Sequence, residues 1–300
     1  VRNLLRSHPL VSFFVLAYGL TWLLWAPMVF TGLPAFSATR HVPSIYTLPG
    51  VMIGVTGSAL LMTAVTTGRP GLRRLWQRLT CWDVGVRWYL VALLMIPLGQ
   101  LLLTALLVGP GALRALTPAA LALYPLAFLS HFVFGPLFEE TGWRGFALPR
   151  MQHRFGPLRG SVLLGLLWGG WHFFLYIPSW ISGGGVPAVV SALTFVAFTV
   201  TVSVVLTWLS NNTRASLLLA MLLHGSINGT ATYVQVLADR GIIAQDAAVF
   251  SAGFGTVLVA ALAALAIAWL THRRLSYPRY RYEAEHLDLG SGLSGALAAR

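Results

Sequence analysis

Glu139 and Glu140 are the only acidic residues between Asp83 and Asp239, and they close an apolar run that begins at Leu126. A carboxylate in such a setting can take a proton from water as a general base. It is also costly to insert, at about 2.5–3.5 kcal/mol near the centre of a span. It therefore marks either a function or a neutralising partner. Arg144 stands four residues after Glu140, the favourable order for an i,i+4 ion pair on a helix. Glu139 projects about 100° away from Glu140 and has no such partner nearby in sequence. Taken alone, the group reads equally as a Glu–Arg cluster closing a helix end.

Two histidines change that reading. His172 sits deep in the apolar run from Leu163 to Tyr176, with Trp168 one turn earlier on the same face. Gly165, Gly169 and Gly170 permit another helix to approach closely there. His224 lies in the run from Leu217 to Asn228, and Asn228, four residues on, shares its face. Singly, each histidine is a common interhelical hydrogen-bond residue. His131, about 12 Å along a helix from Glu139, reads as packing or pore lining.

Depth links the three segments. At 1.5 Å per residue, Glu139 lies roughly 16 Å from Arg150, His172 roughly 20 Å from Arg159, and His224 roughly 15 Å from Arg214. Three helices thus carry their rare polar groups at one level and can bring them together by packing side by side. Pro136 is expected to restart a helix just before the glutamates. A helix start there would favour their negative charge.

A carboxylate, two imidazoles and an amide in a low-dielectric pocket suit hydrolysis. Glu139 can activate water, His172 can hold that water, and His224 with Asn228 can donate to the oxyanion of a tetrahedral intermediate. Glu139, His172 and His224 also form an N/O ligand set for a divalent metal such as zinc. Metal-assisted and metal-independent mechanisms both satisfy these residues. There is no His-Glu-x-x-His, which removes the soluble zincin arrangement. Ser130, Ser161 and Ser226 have no dyad context, and the Gly-x-Asp and Tyr-Asp patterns of intramembrane aspartyl proteases are absent.

The elements that must position these groups are membrane helices. Of 300 residues, 57% are hydrophobic and 9% charged, with mean hydropathy +0.74. A soluble chain of this size cannot cover its surface with so few charges, and disorder carries the opposite signature. Eight stretches reach the roughly 20 apolar residues that a span needs: 10–31, 48–67, 88–109, 119–141, 160–181, 186–209, 215–236 and 249–271. The first is too long for a signal-peptide core and reads as an anchor. Every one of the 20 basic residues is Arg. Only Arg40, Arg114 and Arg240 fall on the opposite side from the rest, which places both termini in the cytoplasm. Arg69, Arg73, Arg74, Arg78 and Arg87 lie between the second and third spans. The single cysteine, Cys81, excludes an intramolecular disulfide. The net charge of +12 is assigned to cytoplasmic helix ends and the lipid surface rather than to nucleic acid.

The expected architecture is all-α and polytopic, integral to the cell membrane. Its catalytic pocket lies within the bundle and opens to the cytoplasmic side. Residues 1–118 supply the first three spans, 119–236 the core that carries the candidate residues, and 237–275 the last span. Gly183 to Gly185 form a short external turn. Residues 276–300 are a cytoplasmic tail, read as unstructured from its polar and Gly/Ser/Ala-rich end.

The pattern Glu139-Glu140-Thr-Gly-Trp-Arg144, then Trp168-x-x-x-His172, then His224-x-x-x-Asn228 resembles the three ordered motifs of the CPBP intramembrane proteases. These are the CAAX-protease and bacteriocin-processing family, which includes the type II CAAX prenyl endopeptidases. The resemblance covers roughly residues 120–236. Trp168 departs from the phenylalanine usual in the family. The resemblance implies an eight-helix endopeptidase acting on a membrane-associated or lipidated peptide or protein. Glu139 would be its water-activating base, Glu140 a supporting group and Arg144 the holder of both glutamates. His172 would attend the water, and His224 with Asn228 the oxyanion. The family is described both as metalloprotease and as metal-independent. Two other classes fit the bare residues: a transporter or channel using Glu139 and the histidines as a proton path, and a non-catalytic membrane scaffold.

Overall fold

The structure is a computed structural model and describes residues 2–31, 45–107, 109–183, 185–244 and 251–286. Arg40 and the centre of the turn at Gly184 lie outside these residues. Helices account for the architecture, and no strand occurs among the described residues. In chain order they are α1 (Arg2–Ser7), α2 (Pro9–Thr31), α3 (Ser58–Leu79), α4 (Val86–Leu107), α5 (Pro118–Leu121), α6 (Tyr124–Phe134), α7 (Pro136–Glu140), α8 (Leu148–Phe155), α9 (Pro157–Gly183), α10 (Gly185–Asn212), α11 (Leu217–Asp239), α12 (Thr256–Leu270) and α13 (Tyr277–His286). Two π-helical stretches matter for the site: Gly50–Gly57, which leads into α3, and Thr141–Ala147, which joins α7 to α8.

Among the described residues, seven helices are long and apolar enough to cross a membrane, and a bent pair brings the count to eight. The fold is therefore an all-α polytopic membrane protein, as its composition requires. In lipid a helix satisfies its own backbone, so long apolar runs have little other choice. The main hydrophobic core runs from Phe13 to Leu275 and holds the indoles of Trp25, Trp143, Trp168 and Trp171; smaller buried clusters form around Tyr233 and around Leu75. α9 and α10 pack backbone to backbone: a Cβ on Gly165 would lie 2.5 Å from Val200 Cα. Small residues let helix axes close up in this way.

The structure refines three local expectations. The fourth span, 119–141, is broken as the restart at Pro136 predicts. It breaks at Gly135 with a bend of 44° between Pro118–Phe134 and Pro136–Phe155, because Pro136 cannot continue the preceding backbone ladder. The second span, 48–67, does not end its helix there. The helix kinks at Gly68 (φ 65°) and continues to Leu79. Glycine alone takes that φ without a Cβ penalty. Beyond the kink Leu75 is buried while Arg73 is exposed, so the extension is held by an apolar stripe. Finally, α13 occupies the start of the segment read as an unstructured tail. Leu275, just before it, is fully buried and its carbonyl accepts a 2.8 Å hydrogen bond from Asn211 Nδ2. Tyr277 stacks on Tyr280 one turn later. Residues 287–300 lie outside the described residues.

Candidate active site

Gly135 and Pro136 decide where the glutamates stand. Proline is well suited to the first helical position, where its missing N–H has no partner to lose. The amides of Phe138 and Glu139 both donate to Gly135 O at 2.9 Å, so the new helix starts within a few residues. A hydroxyl from the Gly50–Gly57 stretch fixes it from the side: Thr56 Oγ1 donates to Phe138 O at 2.6 Å. The chain then enters the π-helical stretch Thr141–Ala147, all seven residues of which are buried. Local π geometry in a helix is frequent at functional sites.

Each glutamate has its own set of partners. Glu139 Oε2 accepts from two indoles, Trp168 Nε1 at 2.8 Å and Trp143 Nε1 at 3.3 Å. Glu139 Oε1 lies over Gly135, where a Cβ would come within 3.1 Å. Glu140 Oε1 is shared by Arg144 Nη1 at 3.0 Å and His224 Nδ1 at 2.8 Å. The side chains of Glu140 and Arg144 are wholly buried. The i,i+4 ion pair expected from sequence is therefore formed. Arg144 also lies over the Trp168 ring, 4.8 Å from its centroid, and His224 meets that ring edge-on at 5.0 Å.

The triad is an expensive way to hold helices together. Glu140 Oε2, Arg144 Nε and Arg144 Nη2 have no hydrogen-bond partner among the described residues. A buried ion pair with unsatisfied atoms contributes little net stability against a well-packed apolar alternative.

His172 Nδ1 bonds to the Trp168 carbonyl at 3.0 Å. A carbonyl only accepts, so Nδ1 carries a proton, and in the neutral ring Nε2 keeps its lone pair. By the same logic His224 donates from Nδ1 to the Glu140 carboxylate. α9 is itself pinned from α2: Tyr18 OH donates to Leu167 O, and Trp22 Nε1 donates to Trp171 O at 2.9 Å.

A cavity of about 550 Å³ brings the groups together. Glu139, Trp168, His172, His224 and Asn228 all line it, with Trp25, Trp171 and Phe195 among its apolar walls. Glu140 and Arg144 stand behind this lining. His131 also reaches the cavity and hydrogen-bonds Thr232. The common depth read from the arginines thus corresponds to one shared space.

The ligand set for a metal is less well met. Among the described residues no three or more His, Cys, Asp or Glu side chains are grouped to hold an ion. Glu139 Oε2 is taken by two N–H donors, which leaves Oε1 and the histidine Nε2 atoms as the groups that would have to close on an ion, and no step below is routed through one.

Trp143 is the residue that motif reading missed. It stands four residues after Glu139, related to it as Arg144 is to Glu140, but an indole in an apolar run reads as core. Two donors on one oxygen are mutually redundant. For any hydrolysis that uses Glu139 as its base, Trp168→Phe is expected to slow the rate only severalfold, because Trp143 still holds Oε2. The double change with Trp143→Phe is expected to cost more than the two singles multiplied, with a coupling of about 0.5–3 kcal/mol. Strictly multiplicative single and double rates would contradict the redundancy.

The comparisons with known proteins fall on this segment. Residues 121–230 match the family described as Type II CAAX prenyl endopeptidase Rce1-like. A curated relative, CAAX prenyl protease 2 of Methanococcus maripaludis, is 29% identical over 121 residues, which is 40% of this chain and 44% of that protein. The chain therefore matches less than half the length of that relative. All seven candidate residues, from Glu139 to Asn228, lie inside the matched family segment.

Proposed function

We propose, for a chain whose residues 121–230 are Rce1-like, an intramembrane endopeptidase that hydrolyses a peptide bond by glutamate-activated water. The observation that carries the reading is the convergence of Glu139, His172, His224 and Asn228 on one cavity. The substrate class is a membrane-associated peptide or protein. The apolar walls of the cavity suit apolar residues beside the scissile bond.

The chemistry follows from the partners. The two indoles hold Glu139 by Oε2 and leave Oε1 to receive a proton. His172 Nε2 accepts a hydrogen bond from the attacking water and orients it. Water oxygen bonds to the carbonyl carbon as Glu139 takes the proton, and the carbonyl oxygen becomes an oxyanion. The Asn228 amide donates to that oxyanion. His224, its Nδ1–H held by the Glu140 carboxylate, stands beside Asn228 in the cavity wall. As the oxyanion collapses to a carbonyl and the C–N bond breaks, Glu139 returns the proton to the leaving amine; the carboxylic acid and amine products form and the Glu139 carboxylate is regenerated. Positioned acid–base catalysis of this kind contributes roughly 10²–10⁴-fold.

The test uses the full chain purified and reconstituted in liposomes with a panel of membrane-inserted and lipidated peptides. New termini are read by mass spectrometry. Cleavage is expected, unchanged after exhaustive chelation and with substoichiometric metal in the active preparation. Loss of cleavage on chelation, restored by zinc, would replace the metal-free route. No new terminus on any peptide would remove the hydrolase reading.

A further inference from the structure

We infer that Arg78 is a positioning residue for the proposed hydrolysis, one that sets the glutamates and His224 in register; the inference rests on that reading. Arg78 lies on the helical extension of α3, beyond the kink at Gly68. Its guanidinium donates to three backbone carbonyls: Nη2 to Arg144 O at 2.7 Å, Nη1 to Gly145 O at 2.9 Å, and Nε to Ala215 O at 3.0 Å. The first two belong to the π-helical stretch that follows Glu140. The third belongs to the turn that starts α11, the helix of His224 and Asn228. One planar group thus bridges the two elements whose side chains meet at the 2.8 Å contact between Glu140 and His224.

The turn itself shows that it needs holding. Arg214 (φ 53°) and Ala215 (φ 55°) are consecutive non-glycine residues in the left-handed region. Such a conformation persists where its surroundings over-determine it. Those surroundings come from the end of α3. Besides Arg78, Ser216 Oγ donates to Cys81 O at 2.6 Å and accepts from the Leu219 amide at 3.3 Å, and Arg214 reaches Asp83 at 3.6 Å. Arginine suits the bridge because its fork offers several donors in one rigid plane; lysine is a point donor on a flexible stem.

Arg150 supplies the comparison. It donates to Phe146 O at 2.9 Å and to Thr66 Oγ1 at 3.3 Å. It therefore grips the same π-helical stretch without touching the α11 turn.

The experiment compares Arg78→Met, Arg78→Lys and Arg150→Met in the full chain, with rates on a cleaved peptide, thermal midpoints and hydrogen exchange of segments 141–147 and 213–220. A misplacement of about 1 Å costs up to roughly 100-fold in rate. Arg78→Met is expected to lower kcat by roughly tenfold to 100-fold with KM little changed. Arg78→Lys should recover the thermal midpoint but leave kcat several-fold low. Arg150→Met should lower the midpoint and leave kcat intact. Exchange should rise in both segments for Arg78→Met and only in 141–147 for Arg150→Met. Full kcat in Arg78→Met, full rescue by lysine, or equal losses of kcat in the two methionine variants would overturn the assignment. If the wild-type chain cleaves nothing, the hydrolase reading fails by itself. The exchange arm then still decides the bridge: a rise confined to one segment in Arg78→Met removes it.

Discussion

Glu139→Gln is expected to lower peptide cleavage by roughly 10²–10⁴-fold, the contribution of a positioned general base, without loss of expression or of thermal midpoint. The reason lies in the division of labour between its oxygens. Glutamine keeps one carbonyl oxygen, which can still accept from Trp168 and Trp143, so the packing around the side chain survives. What is lost is an oxygen that can take a proton from water. Substrate affinity should be little changed, so the variant should retain peptide and trap it for identification. Cleavage at the wild-type rate would show that Glu139 does not take the proton. Loss of folded protein would show that its charge is structural.

Arg144→Ala is expected to destabilise and inactivate together. It strips the wholly buried Glu140 carboxylate of its cation, and breaking a buried pair in this way costs about 3–5 kcal/mol. It also removes the group lying against the Trp168 face. A second variant separates the two effects. Replacing both partners, Glu140→Gln with Arg144→Met, leaves no unpaired charge and is expected to recover most of the thermal midpoint. It should not recover cleavage, because His224 then faces a neutral amide. Inactivation by Arg144→Ala with an unchanged midpoint would contradict the pairing. Recovered cleavage in the double variant would make the triad dispensable to the chemistry.

Much of this site was legible before any coordinates because charge is so scarce. Against an apolar background Glu139, Glu140, His172 and His224 stand out, and helix periodicity assigns Arg144 and Asn228 to them. Pro136 announced the break that places the glutamates. The donors that orient Glu139 were harder to see. An indole N–H is a polar group carried on a large apolar ring, so Trp143 counts as core in any hydropathy reading. Arg78 was hidden by the opposite disguise. In a chain whose 20 basic residues are all arginine, another arginine between two apolar spans reads as a topology signal. Nothing local shows that its guanidinium turns inward onto three carbonyls. The contacts that matter run over 66, 67 and 137 residues of sequence, where periodicity has no reach. The kink at Gly68 is a similar case: a glycine before proline suggests an end, and only the buried stripe beyond it reveals a continuation.

The carbonyls of the motif helices are served from far upstream: Phe138 by Thr56, Leu167 by Tyr18, Trp171 by Trp22, Arg144 and Gly145 by Arg78. The stretch that matches the family model, 121–230, is thus smaller than the unit that folds. The candidate residues lie inside it, while the donors that fix their helices lie outside it. A chimera that grafts the matched stretch onto the leading helices of a relative would transplant the candidate groups and lose their alignment, unless those four donor residues travelled with it.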